Sequence, residues 1–359
     1  MNSIFLDSFT YRLRKSESGL FFHRWDGKSF PKFDRDERLS FLFNILSSLL
    51  IHDKIIIKID AVEEFIELMG YSQFIHLINE SLIEILDDSG AFPTYLVQNN
   101  NYLTLLNMSS DSTMTIDSVQ KRLDEQKLIT NEFDIVNKSI VKIDGAWFGH
   151  LAEQELYSDF GNKSLTDCLQ INSVGITDIE PNESFMISRL LNVNRSLIYM
   201  HEQGIGNVHL DGFSKIILNQ KFQNNKTETL DNSIDLFSNI IKDKDIPDFS
   251  LLYLEKKLNL DTVLKIRNNF NGGKFRDWYN STDYDRHLTY KELLKHKEIK
   301  PIEKGVRFFL NTTLGLLNPV AGIVSGVVDS YLIDKVLRHS WTPNLFLDNI
   351  LKRRLDKLK

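Results

Sequence analysis

The sequence predicts an α+β, predominantly helical protein: a small mixed N-terminal unit, then a helical C-terminal portion with an apolar helical hairpin. Three observations carry this. Strand-length β-branched and aromatic runs fall before residue 112, interleaved with helical periodicity. From about Ile116 onward the apolar spacing is mostly that of helices. Phe308–Val328 is an uncharged run split by Asn318-Pro319, and the residue before a proline is pushed out of the helical region.

The elements follow in order. Leu20-Phe21-Phe22 reads as a strand ending in an Asp26-Gly27 turn. Asp34 and Asp36 precede Leu39, Phe41, Leu42, Ile45, Leu46 and Leu49, the spacing of a helix with an acidic first turn. Ile55-Ile56-Ile57-Lys58-Ile59 reads as a buried strand, and Ala61–Met69 as a helix stopped at Gly70. Ser72 caps a further helix through Phe74, Ile75, Ile78, Leu82, Ile83 and Leu86. Pro93–Val97 and Tyr102–Leu106 flank three asparagines, which tolerate positive φ, and so form a hairpin.

Helices are then expected over Ile116–Ile129, Ala146–Phe160 and Glu183–Gln203, the last ending at Gly204. Val208–Leu210 and Ser214–Leu218 suggest a second hairpin around Asp211-Gly212. Gln220–Asn232 is polar and suits a loop or domain boundary. Helices follow at Ile234–Ile241 and Leu251–Phe270, the latter starting after Pro247 and broken at Gly272-Gly273. Trp341-Thr342-Pro343-Asn344 marks a turn before a last helix over Leu345–Leu358. The expected units are 1–112, mixed α/β; 113–222, mainly helical with a short hairpin; and 223–359, helical.

Composition bounds the function. The 359 residues carry 43 Lys+Arg against 49 Asp+Glu, a net charge of -6, which argues against a surface covered in nucleic-acid contacts. Cys168 is the single cysteine, so an internal disulfide and a multi-thiolate zinc site are excluded. The N-terminal stretch lacks an apolar run of signal-peptide length, and a cytoplasmic setting is expected.

Chemical motifs are sparse. Gly272-Gly273-Lys274 lacks the upstream glycine and following hydroxyl of a phosphate loop. No Gly-x-Ser-x-Gly elbow or His-Glu-x-x-His helix occurs. Asp60 follows a buried strand, where a carboxylate can hold Mg²⁺; the plainer role is a helix N-cap. His209 and Asp211, with His201 ending the preceding helix, can form an acid–base or metal cluster; the plainer role is a strand and a turn. These three, Asp60, His209 and Asp211, are the catalytic candidates. No resident metal or cofactor is expected.

Ile246–Tyr279 holds the anion-site candidates, Arg267 and Arg276, whose guanidinium forks match phosphate or carboxylate. The plainer reading pairs them with acids such as Asp261 and Asp277. Within the segment, Pro247, Asp248, Leu264, Arg267, Phe275, Arg276 and Trp278 make a Pro-Asp start, a Leu-rich helix with one Arg, and Phe-Arg-x-Trp. This pattern, about a tenth of the chain, resembles uncharacterised bacterial proteins of mobile-element or phage-defence neighbourhoods. The resemblance implies a biological setting and no reaction.

Phe308–Val328 is read as a buried hairpin of a soluble core, with a membrane-inserting hairpin and a transmembrane anchor as its rivals. Lys352, Arg353 and Arg354 give the last helix a basic end, open to nucleic acid or a membrane surface, or plainly a solvated face complementing the helix dipole. The sequence therefore predicts a non-enzymatic interaction or regulatory protein of bacterial type, with a protein partner or a second copy, in a defence or stress setting. A membrane-perturbing effector and a metal-dependent hydrolase or nuclease are the alternatives.

Overall fold

The computed structural model describes residues 2–7, 13–16, 19–22, 35–87, 94–99, 102–107, 131–175, 183–222, 233–282, 289–290, 293 and 341–359. The expected helix at 116–129 and the apolar run 308–328 lie outside the described residues. Among the described residues, no helix is long and apolar enough to cross a membrane. The protein is predominantly helical with a small parallel sheet, the α+β class its sequence predicts. It divides into two compact units, Met1–Ile234 and Asp235–Lys359.

The first unit is built on β1 (Ser3–Leu6), β4 (Lys54–Lys58), β5 (Ile83–Asp87), β8 (Ile140–Lys142) and β9 (Asn207–His209), ordered β8-β5-β4-β1-β9 and parallel throughout. Two antiparallel hairpins, β2 (Leu13–Ser16) with β3 (Gly19–Phe22) and β6 (Thr94–Asn99) with β7 (Tyr102–Asn107), stand apart from this sheet. The helices are α1 (Arg35–Ile51), α2 (Val62–Met69), α3 (Tyr71–Asn79), α4 (Asn131–Lys138), α5 (Gly145–Phe160), α6 (Lys163–Leu169), α7 (Ser184–Gln203) and α8 (Gly212–Phe222).

Connection handedness explains the layering. The chain steps β1→β4→β5→β8 in one direction, so right-handed crossovers lay α1 to α4 on one face. The return from β8 to β9 crosses back and lays α5 to α7 on the other. There Phe148 and Tyr199 pack on Phe5, Ile56 and Leu86. Phe5 pairs with Ile56, and Lys58 with Leu86, so alternation puts Phe5, Ile56, Lys58 and Leu86 on that same face. A cluster among α5 to α8 extends the core through Leu156, Leu165, Leu190 and Ile217.

Most expected elements form. The helix of acidic first turn is α1, with Asp36 and Glu37 in that turn. The Ile55–Ile59 run forms β4 as far as Lys58, α2 stops at Gly70, and the asparagine-flanked hairpin is β6–β7. α7 ends at Gly204, whose φ of 61° is left-handed, where a side chain is strained and glycine is not.

Three expectations are corrected. The helix from Ser72 to Leu86 ends at Asn79; after Ser81, with φ 56°, Ile83–Asp87 is β5. The short run Ile83-Glu84-Ile85-Leu86 satisfies both periods, and burial between two parallel neighbours decides for the strand. The hairpin around Asp211-Gly212 is instead a strand-to-helix turn, with Ser214–Leu218 inside α8. The long helix Leu251–Phe270 is broken earlier, by asparagine caps rather than by the glycine pair.

The second unit contains most of α9 (Ser233–Asp243), then α10 (Phe249–Leu254), α11 (Leu260–Arg267), α12 (Phe270–Ser281) and the C-terminal helix α13, whose stretches are Pro343–Phe346, a π-helical Leu347–Lys352 and Arg353–Asp356. Asp248, Asn259 and Asn269 each accept backbone N–H groups at the start of α10, α11 and α12. Phe275 is the hub of its core, stacked on Phe346 at 4.6 Å and beside Phe237, Trp278 and Tyr279. Gly272 permits the α11–α12 corner: a Cβ there would meet the Ile266 and Arg267 carbonyls at 2.6 Å.

Candidate functional site at the carboxyl edge of the sheet

β1 lies between β4, the next strand of this sheet in sequence, and the last strand β9, so the sheet changes winding direction beside it. In open α/β sheets, ligands bind in the crevice outside the carboxyl ends of strands at such a switch point. Asp7 follows β1 directly and Lys58 ends β4, and both lie on the face covered by α7. Their side chains are 5% and 2% exposed and form an ion pair of 2.8 Å. Burying two charges is costly unless they meet each other and are further hydrogen-bonded. Here Ser196 from α7 supplies a hydroxyl to Asp7 Oδ2. The same hydroxyl lies 3.0 Å from the Asn192 carbonyl, but it has one proton and the carboxylate is the stronger acceptor. The Lys58 ammonium also sits 5.5 Å from the Phe5 ring centre and 5.6 Å from that of Tyr199.

α7 organises this edge. Arg189, Asn192, Ser196 and Tyr199 recur at helical spacing along one stripe, all of them buried. Tyr199 meets Phe5 in β1, Ser196 meets Asp7 just past β1, and Arg189 meets Asp211 past β9, at 2.8 Å. The seven residues from Ser196 to Arg189 advance about 10 Å along the helix, which carries this stripe outward beyond the strand ends. Asp87, 2% exposed, ends β5 at the same edge.

The catalytic candidates all fall at this edge, in altered roles. Asp60 sits in a 3-10 turn, Ile59–Ala61, two residues beyond Lys58; it is the N-cap neither of that turn nor of α2, whose cap positions are Lys58 and Ala61. His209 ends β9 and is 6% exposed. It pairs in register with Leu6, on the opposite face from Asp7 and Lys58. Asp211 is a helix cap: Oδ1 accepts from the N–H of Phe213 at 3.0 Å and of Ser214 at 3.2 Å, and Oδ2 from the Ser214 hydroxyl at 2.7 Å. His201 lies in the exposed last turn of α7 beside Glu202, apart from His209. Among the described residues, no three His, Cys, Asp or Glu side chains gather as a metal cluster.

The remaining candidates belong to the second unit. The structure brings Arg267 and Arg276 together: Arg276 Nη1 donates to the Arg267 carbonyl at 2.8 Å, and Arg267 is 5% exposed at the end of α11. Lys352 donates to the Lys244 carbonyl at 2.8 Å and stands 3.7 Å from Asp245, while Arg353 is exposed.

Asp7, Ser196 and Arg189 escape the sequence reading, because an Asp, Ser or Arg at an unspecific spacing carries no motif. Lys58 carried the available signal: a charge inside an isoleucine run needs a buried counter-charge. A second polar cluster also joins α5, α7 and α8. Lys221 pairs with Asp159 at 2.5 Å and donates to Asn194 at 2.7 Å, and Asn194 donates to Asp159 at 2.8 Å. Burial pushes the Asp159 carboxyl above its ordinary value, against the pull of Lys221 and Asn194.

Comparison with protein-family models, curated proteins and solved structures finds no match to this chain.

Proposed function

We propose that the chain is a ligand-responsive interaction or regulatory protein, whose first unit takes a polar small molecule outside the carboxyl ends of β1 and β9. The observation that supports this is the buried Asp7–Lys58 pair, held by Ser196 beside the switch point of a parallel sheet. This edge carries both charge signs, Asp7 and Asp211 negative, Lys58 and Arg189 positive. A ligand with hydroxyl or phosphate groups uses both. The helical second unit is the part we assign to a protein partner. The bacterial defence or stress setting is proposed from the resemblance of residues 246–279 alone.

A thermal-shift panel of nucleotides, sugar phosphates, dicarboxylates and neutral sugars tests the ligand. At a hundred times its dissociation constant, a ligand adds about 2.7 kcal/mol to the folded state. The expected result is one class that raises the melting temperature of the wild type and raises it less in Ser196→Ala and Arg189→Lys. A flat panel, or an equal response in both variants, refutes the reading.

One observation favours a second reading, a metal-dependent hydrolase: Asp60 lies two residues past the end of β4, at the edge that also carries Asp7 and Asp87. Incubation with Mg²⁺ or Mn²⁺ and mixed nucleic acids, with Asp60→Asn and His209→Ala as controls, tests it. Turnover that both variants retain removes these residues from the reaction.

A further inference from the structure

The opposite, amino edge of the same sheet carries a separate concavity of about 210 Å³. Its floor is apolar, formed by Ile56, Leu86 and Ile205, which are 4%, 1% and 5% exposed. Its rim is charged. Lys54 Nζ lies 2.7 Å from Glu84 Oε2, with the two side chains 22% and 26% exposed. Gly204 and the C-terminus of α7 close the third side.

We infer that this concavity is a binding site for a small zwitterion with an aliphatic side chain, an α-amino acid such as leucine. Its volume lies below the roughly 300–1,000 Å³ of sites for drug-sized ligands, so the ligand is small. An ammonium has three donors and Lys54 spends one on Glu84; the carboxylate of Glu84 likewise keeps acceptor capacity. A ligand carboxylate on Lys54 and a ligand ammonium on Glu84 close a ring of four alternating charges without breaking the existing pair. The negative end of the α7 dipole adds to the preference for a cationic group in the concavity. Other charge types fit worse. A dicarboxylate sets an anion against Glu84 and the helix C-terminus, a diamine sets a cation against Lys54, and a neutral hydrocarbon leaves the rim charges facing an apolar group. The aliphatic side chain then covers the three apolar residues of the floor.

Isothermal titration of the full chain with L-leucine tests the site, with N-acetyl-leucine, leucinamide and glycine as comparisons. Binding of leucine is expected, with each charge-deleted derivative about tenfold weaker or worse, and glycine weaker because it lacks the side chain. Lys54→Met and Glu84→Gln are expected to lose the site; because the pair is partly exposed, both variants keep the fold, which circular dichroism checks. Ser196→Ala is expected to bind leucine as the wild type does, which separates this site from the carboxyl-edge crevice. The proposal is overturned by absence of leucine binding, by equal affinity for leucinamide or N-acetyl-leucine, by undiminished binding in folded Lys54→Met and Glu84→Gln, or by loss in Ser196→Ala alone.

Discussion

Lys58 shows how one residue can tie the interior to the proposed crevice. Replacing it by methionine leaves Asp7 buried without its counter-charge, which typically costs 3–5 kcal/mol when one partner of a buried pair is removed. Urea denaturation of Lys58→Met should show a loss of about that size. Adding Asp7→Asn should recover most of it, because the residual cost is that of the orphaned carboxylate and not of the missing pair. A double variant as unstable as the single one would show that the ring contacts of Lys58 outweigh the charge pairing. Asp159 makes a pH prediction. Its folded-state value is raised by burial, so folding favours the protonated form. That contribution is complete below the ordinary carboxylate value and is lost as pH rises through the raised one. The stability of the wild type relative to Asp159→Asn should therefore fall from about pH 4 upward. Denaturation curves across that range check it; a difference that grows with pH would mean that Lys221 prevails over burial.

At the scale of elements, the helices with clear ends were readable. Acidic residues opened α1, Gly70 closed α2, and Gly204 closed α7. β5 was not readable, because four apolar-rich residues fit either period and only its parallel neighbours settle the choice. Nor was the placement of β9 beside β1, since the pairing Ile4↔Asn207 joins residues far apart in the chain and no local signal records it. Asp60 and His209 were readable as groups at strand ends, but the partners that fill the crevice from α7 were not. The α11–α12 corner supplies an element-scale prediction. Gly272→Ala forces a methyl against two carbonyls at 2.6 Å, an overpacking that costs about 1–3 kcal/mol. Thermal unfolding should show that loss, whereas Gly273→Ala, whose nearest neighbour is an Arg276 nitrogen at 4.0 Å, should unfold nearly as the wild type.

The whole molecule has two compact units, each with a core of its own: Phe5, Ile56, Leu86 and Tyr199 in one, Phe237, Phe275 and Phe346 in the other. Calorimetry should resolve two transitions, since chains with separate cores depart from all-or-none melting. Lys58→Met should lower one and Gly272→Ala the other. If both variants shift a single common transition, the units melt as one body.

The central position of β1 also bears on how the chain is made. On a ribosome that adds about 5–20 residues per second, roughly 10–40 seconds separate the emergence of Ser3–Leu6 from that of Asn207–His209. Throughout that interval one border of β1 is an open hydrogen-bonding ledge, able to capture any extended peptide nearby. Newborn chains of this protein thus pass through a long sticky adolescence, and a chaperone shielding Ser3–Leu6 would raise the yield more than one that acts after release.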